Sequence, residues 1–183
     1  HFWWGDERCV SAMDEQSNYG EAMRLLFSQV LIPAENLHPI HGELSPEKAC
    51  IEFKDEMTAC LPMDTVSGEA RPIYDWVILG IGEDGHTASL FPEKTDYEAS
   101  QNAVLAYHPE TKQARVSLSA PAICAAKRVT YLALGENKKY IVAAILSNDQ
   151  SAEDLPAAKI KSTQGLTEWY LDEQSAGDLS TQT

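Results

Sequence analysis

The chain has 183 residues, 44% of them hydrophobic and 23% charged, which suits one globular domain with a sizeable core. Its net charge of −14 excludes nucleic acid and anionic membrane surfaces as partners, because both would be repelled. No apolar run approaches a membrane span, the first residues do not read as a signal segment, and Cys9, Cys50, Cys60 and Cys124 are scattered without a Cys-x-x-Cys pair, so they fit reduced thiols in a cytoplasmic protein.

His1 to Trp4 is apolar and aromatic and reads as a strand. Gly5-Asp6-Glu7-Arg8 closes it as a charged turn, and taken alone such runs are ordinary solvated charges. Ser17 and Asn18 are helix-capping types. Ala22, Leu25, Leu26 and Val30 then recur at helical spacing, which predicts an amphipathic helix from Tyr19 to about Leu31, ended by Pro33. Ser45-Pro46-Glu47 opens a second helix, with Ala49, Phe53, Met57, Cys60 and Leu61 as its core stripe. Val66 to Pro72 reads as a loop.

Trp76-Val77-Ile78-Leu79 is a short apolar run between turn formers, the pattern of a strand buried on both faces of a parallel sheet. Gly80, Gly82 and Gly85 follow within six positions and mark a backbone that turns tightly or takes positive φ. His86 comes next, and Thr87 to Leu90 reads as the first turn of a helix stopped by Pro92. Strand, glycine loop and helix start together are the parts of a ligand site at the carboxyl edge of an open α/β sheet. Backbone N–H groups there can meet an anion or a developing oxyanion. Gly80 to Gly85 also fits Gly-x-Gly-x-x-Gly, but a dinucleotide site needs an acidic ribose ligand ending a second strand. Asp96 and Glu98 lie in a polar stretch without one, so a nucleotide is not expected. Ser89 has no Gly-x-Ser-x-Gly surroundings and reads as a packing or helix-surface serine.

Glu93 to Asn102 is a polar surface segment, Ala103 to Tyr107 and Arg115 to Leu118 are strands, and Pro121 to Lys127 is a short helix. Val129 to Leu134 is another strand, ending at Gly135. Asn137 caps a helix through Leu146, with Lys138 in its first turn, where the helix dipole disfavours a cation unless an anion lies nearby. Pro156 to Ile160 reads as a last strand and Leu166 to Asp172 as a closing helix or turn around a buried Trp169. Residues 1–174 form one domain and 175–183 a disordered Ser/Thr/Gly-rich tail. Alternating strands and helices predict an α/β fold with a largely parallel sheet.

Several stretches carry a resemblance. Gly82-Glu83-Asp84-Gly85-His86-Thr87-Ala88-Ser89-Leu90-Phe91-Pro92 resembles the signature of 6-phosphogluconolactonases. Trp4-Gly5-Asp6-Glu7-Arg8, Asp14 with Ser17-Asn18-Tyr19, Ile32-Pro33 with Asn36 and His38, Arg115 to Leu118, Gly135-x-x-Lys138 and Thr167 to Asp172 are similar to that family's other segments, in the same order. The resemblance implies an open sheet with helices on both faces, and hydrolysis of a phosphorylated sugar lactone, the one partner it names. It implies His86 as the base that activates water and Asp84 as the group that fixes its tautomer or orients the water; an Asx-turn to the loop amides is the alternative reading of Asp84. The amides near Gly82 and Gly85 would stabilise the oxyanion, and Arg8, Arg115 and Lys138 would hold the phosphate. No cofactor and no metal are implied, and the oligomeric state is left open. Members of the family carry a Ser-Gly-Gly loop upstream of the Trp-Gly-Asp-Glu-Arg segment; nothing here corresponds to it, so the chain is expected to be an amino-terminally incomplete domain. Glucosamine-6-phosphate deaminases carry a similar Gly-x-Asp-Gly-His loop, but they continue as Ile-x-Phe-Asn-Glu-Pro rather than Thr-Ala-Ser-Leu-Phe-Pro. A deaminase/isomerase and a non-catalytic phosphosugar-binding module are the alternative readings.

Overall fold

The structure, a computed structural model, describes residues 1–66, 68–177 and 179. Strand β1 (Phe2–Trp3) runs through Gly5 into β2 (Asp6–Arg8). Helix α1 (Asn18–Ala22) is capped by Ser17, whose side chain accepts from the Gly20 N–H. It passes directly into a π-helical turn, Met23–Phe27, in which Ser28 N–H reaches back to Met23 O. The wider turn rotates the residues after it off the inward face. The predicted stripe holds at Ala22 and fails after it: Leu25, Leu26 and Val30 are exposed, while Tyr19, Ala22 and Phe27 pack inward, Phe27 against Phe2 and Trp4.

Strand β3 (Leu37–His38) follows, then α2 (Pro46–Cys60), with Ser45 as cap and proline in its first turn. Ala49, Cys50, Phe53 and Met57 of α2 are buried, whereas Cys60 is exposed. The expected loop from Val66 is instead a hairpin of β4 (Met63–Val66) and β5 (Glu69–Pro72), turning through Gly68 at φ +86°. Strand β6 (Val77–Gly80) buries Val77 and Leu79 but leaves Ile78 53% exposed, so one of its faces is open rather than covered. Trp76 precedes it, donating to Thr130 Oγ1 under the Arg128 guanidinium.

Strands β7 (Ala103–Tyr107) and β8 (Ala114–Leu118) lead to α3 (Ala120–Cys124), capped by Ser119. Strand β9 (Arg128–Ala133), α4 (Lys139–Leu146), α5 (Pro156–Lys159), β10 (Leu166–Leu171) and α6 (Glu173–Ala176) complete the order. The last two expectations are reversed. Pro156 sits at a helix start, where its missing N–H costs nothing. Leu166–Leu171 pairs along its whole length with β9, and Trp169 is half-buried, stacked on Tyr131 at 4.3 Å. Order also continues past residue 174: Asp172 caps α6, and the buried Ser175 donates to Ala133 O. Residues 178 and 180–183 of the expected tail lie outside the described residues.

Pairing is both parallel and antiparallel. β1–β3 and β10–β9–β6 are parallel; β2–β8–β7 and β4–β5 are antiparallel. Trp4, Phe53, Val77, Leu118, Val129 and Tyr131 share one buried cluster, which makes this a single mixed α/β domain. No helix among the described residues is long and apolar enough to cross a membrane.

Candidate active site

Gly5 follows β1, and Gly80 ends β6. Both border one cavity of about 290 Å³, whose wall also includes Asp6, Arg8, Asn18, His86 and Arg115. The glycine loop at 80–86, Arg8 near the start of the chain and Arg115 beyond the loop are thus brought to one site.

The loop after β6 is not a helix start. Thr87 and Leu90 form an isolated bridge, and Ala88 has φ +48°. The Thr87 hydroxyl donates to Gly80 O, and Ser89 is buried, so the tight turn is tied back onto the strand end. The three glycines act differently. A Cβ on Gly82 would overlap the His86 ring and the Asp84 carboxylate. Gly85 has φ +81° and lies against Leu155, 2.8 Å from where a Cβ would sit. Gly80 has open space. Alanine at Gly85 is therefore expected to lower stability by about 1–2 kcal/mol, and alanine at Gly80 by close to none, as read from thermal melts. Of the loop amides expected to meet an oxyanion, the N–H groups of Gly82 and Gly85 themselves are already paired. Gly82 N–H donates to His86 O at 2.9 Å and Gly85 N–H to Gly82 O at 3.1 Å, so both are engaged within the loop.

His86 Nδ1 lies 2.6 Å from Asp84 Oδ1. A carboxylate only accepts, so Nδ1 carries the proton in the neutral ring and Nε2 keeps its lone pair. Asp84 Oδ1 also accepts the His86 backbone N–H at 3.1 Å. Partial burial pushes the Asp84 carboxyl up, but the two hydrogen bonds from His86 and its charge outweigh this and hold it below the usual carboxylate range. Phe91 backs the imidazole at 5.0 Å between ring centres.

Arg8 and Arg115 are directly opposed across the β2–β8 pair. Like charges in that position repel unless something negative lies between or beside them. Arg8 Nη1 donates to Gln16 O, and the Arg115 guanidinium lies 5.8 Å over Phe91. The Nε of each is buried without a partner among the described residues. Burial, and then the charge of Arg8, lower the pKa of Arg115, while Asp6 and Glu7 oppose this. Two guanidinium groups lining one cavity beside a histidine suit a dianionic group.

Lys138 is not in the wall of this cavity. It ends a 3₁₀ turn, Glu136–Lys138, after β9, and the expected cap Asn137 instead donates from Nδ2 to Glu83 Oε1 at 2.6 Å. The lysine's turn is thereby fastened to the glycine loop. Four residues escaped the sequence reading. Asp6 accepts from Ser89 Oγ at 2.6 Å and from Asn18 Nδ2 at 3.3 Å. Glu7 is 1% exposed, not solvated. Ser17-Asn18 was read as a cap and as part of a family segment, with no role at the site, and the odd-even alternation of a strand was the signal that Glu7 points inward while Asp6 and Arg8 face the other way.

Residues 1–169 match the family model described as "Glucosamine-6-phosphate isomerases/6-phosphogluconolactonase". The chain is 48% identical to the 6-phosphogluconolactonase of Haemophilus influenzae over 172 residues, which are 94% of this chain and 71% of that protein. A crystal structure of a devB protein superposes with a TM-score of 0.89 at 51% identity, covering 98% of this chain and 74% of that one. The 6-phosphogluconolactonase of Trypanosoma brucei gives 0.86 at 30% identity, covering 97% and 73%. The chain belongs to the glucosamine-6-phosphate isomerase/6-phosphogluconolactonase family.

Proposed function

We propose that this chain hydrolyses 6-phospho-D-glucono-1,5-lactone to 6-phosphogluconate, a step of the pentose phosphate pathway, and that His86 is its base. The observation that carries the reading is one cavity lined by a carboxylate-oriented histidine and by two arginines. The 6-phosphogluconolactonases to which the chain is similar support it.

In this mechanism Arg8 and Arg115 grip the phosphate and so orient the lactone ring. His86 Nε2 takes a proton from water as the water oxygen bonds to the lactone carbonyl carbon. The tetrahedral intermediate collapses, the bond from that carbon to the ring oxygen breaks, and the imidazolium returns its proton to the leaving oxygen. Asp84 fixes the tautomer and balances the transient charge on the ring. Gly82 and Gly85 serve by shaping the loop, and Lys138 approaches the phosphate from the neighbouring turn. The two parallel sheets are taken as parts of one open sheet with helices on both faces, with the ligand loops at its carboxyl edge. The four cysteines are free, and burial pushes the thiols of Cys9, Cys50 and Cys124 up, in keeping with a cytoplasmic setting.

Acid release from 6-phosphogluconolactone in a pH-stat tests the function. Ammonia release from glucosamine 6-phosphate without lactone hydrolysis would move the chain to the deaminase reading. Asp84→Asn is expected to lower kcat by about tenfold or more, because the uncharged amide stabilises the imidazolium less. The folded carboxyl of Asp84 titrates below its unfolded value, so its contribution to stability is present at neutral pH and lost as the pH falls through the folded pKa. The melting-temperature gap between the wild type and Asp84→Asn should therefore narrow in acid; a gap that widens there contradicts the assignment.

A further inference from the structure

We propose that Glu7 is a positioning residue that sets the anion-gripping arrangement of Arg8, and of the segment 16–18 that holds it, from beneath the cavity. The inference deepens the lactonase reading and rests on it for the identity of the anion.

Glu7 lies between Asp6 and Arg8 in β2, so the pleat sends it away from the cavity wall that its two neighbours form. Its carboxylate is buried and fully used. Oε1 accepts from the backbone N–H of Arg8 at 2.8 Å and of Asn18 at 2.8 Å. Oε2 accepts from Ser17 Oγ at 3.0 Å and from the Tyr19 N–H at 2.7 Å. Ser17 Oγ in turn accepts from Gly20 N–H, so the carboxylate and the helix cap are one connected unit. Three of the four donors belong to the segment 17–19.

The other side of that segment reaches the site. Gln16 O receives Arg8 Nη1, and Asn18 Nδ2 donates to Asp6 O at 2.9 Å. Glu7 thus fixes both ends of the Arg8 side chain's surroundings: its own backbone N–H and the segment that carries its carbonyl acceptor. Glu7 is also one of the two acids whose charge reaches Arg115, so it eases the repulsion between the opposed guanidinium groups. A charge buried with four hydrogen bonds is expensive to place, and an ordinary solvated turn would not need it.

Glu7→Gln keeps the shape and removes the charge. Each oxygen of the carboxylate receives two donors, so the amide nitrogen must face at least one backbone N–H whichever way it turns. The segment 16–18 should then loosen, and Arg8 with it. The expected result is a KM for 6-phosphogluconolactone raised about tenfold and a Kd for inorganic phosphate, by calorimetry, weakened in parallel. The kcat should change by less than about threefold, and kcat/KM for unphosphorylated glucono-1,5-lactone should stay within the same margin. A variant that melts earlier but keeps the wild-type KM and phosphate Kd overturns the proposal, as does an equal loss on both lactones. Should Glu7→Gln fail to fold, Ser17→Ala retains the carboxylate and deletes one donor. It is expected to weaken phosphate binding about two- to threefold, and an unchanged Kd there also overturns the proposal. If the wild type binds phosphate with this dependence yet hydrolyses no lactone, the functional reading fails and the role of Glu7 stands.

Discussion

Alanine in place of His86 is expected to lower kcat for 6-phosphogluconolactone by about 10²- to 10⁴-fold, the usual worth of a positioned general base. The fold should survive. The imidazole is 28% exposed, and its ring bond is to Asp84, itself half exposed, so little core packing is lost. The Gly82 N–H bond to His86 O is main chain and remains. Circular dichroism and melting should match the wild type while the pH-stat trace falls to near background. An active His86→Ala enzyme excludes the proposed base. Asparagine or glutamine there should be no better than alanine, because neither has a basic lone pair at neutral pH.

The second large effect concerns the guanidinium pair. Arg8→Ala or Arg115→Ala should raise KM for the phosphorylated lactone by about ten- to a hundredfold, since each removes charge-assisted hydrogen bonds to the phosphate. Unphosphorylated glucono-1,5-lactone should be hydrolysed nearly as before. Lysine is not an adequate replacement at either position, because it keeps the charge but not the planar fork. Removing one arginine also relieves the repulsion across the β2–β8 pair, so the melting temperature should hold steady or rise. Lys138→Ala is expected to shift the same KM by less, as Lys138 stands outside the cavity wall. Equal losses on both lactones would remove these residues from phosphate binding.

The central loop was legible from letters alone. Three glycines around Asp84 and His86 announce a backbone that has to bend, and Gly82 and Gly85 are each required, one by the imidazole beside it and one by its φ of +81°. Capping at Ser17 and Ser45 was equally legible, because each bonds an amide three residues ahead, whereas the expected cap Asn137 bonds Glu83 instead. Short segments misled where only a neighbour could decide. Leu166–Leu171 is a strand because β9 lies alongside to receive its hydrogen bonds, and Pro156–Lys159 is a helix because no partner strand does the same there. Periodicity over four to six residues does not separate the two states. The π-turn at Met23–Phe27 defeats any fixed period, since one wider turn shifts the register of every side chain after it.

Chemistry-bearing residue types and the places where the chain must turn are properties of the local sequence, because backbone sterics and side-chain pKa class need no distant partner. What faces what is not local. Arg8 stands against Arg115 only through antiparallel pairing of strands about a hundred residues apart, and that same pairing decides that Asp6 meets Ser89 and that Glu7, written in the midst of charges, is buried. Burial of a carboxylate depends on the donors that converge on it, and those are assembled only when the sheet forms.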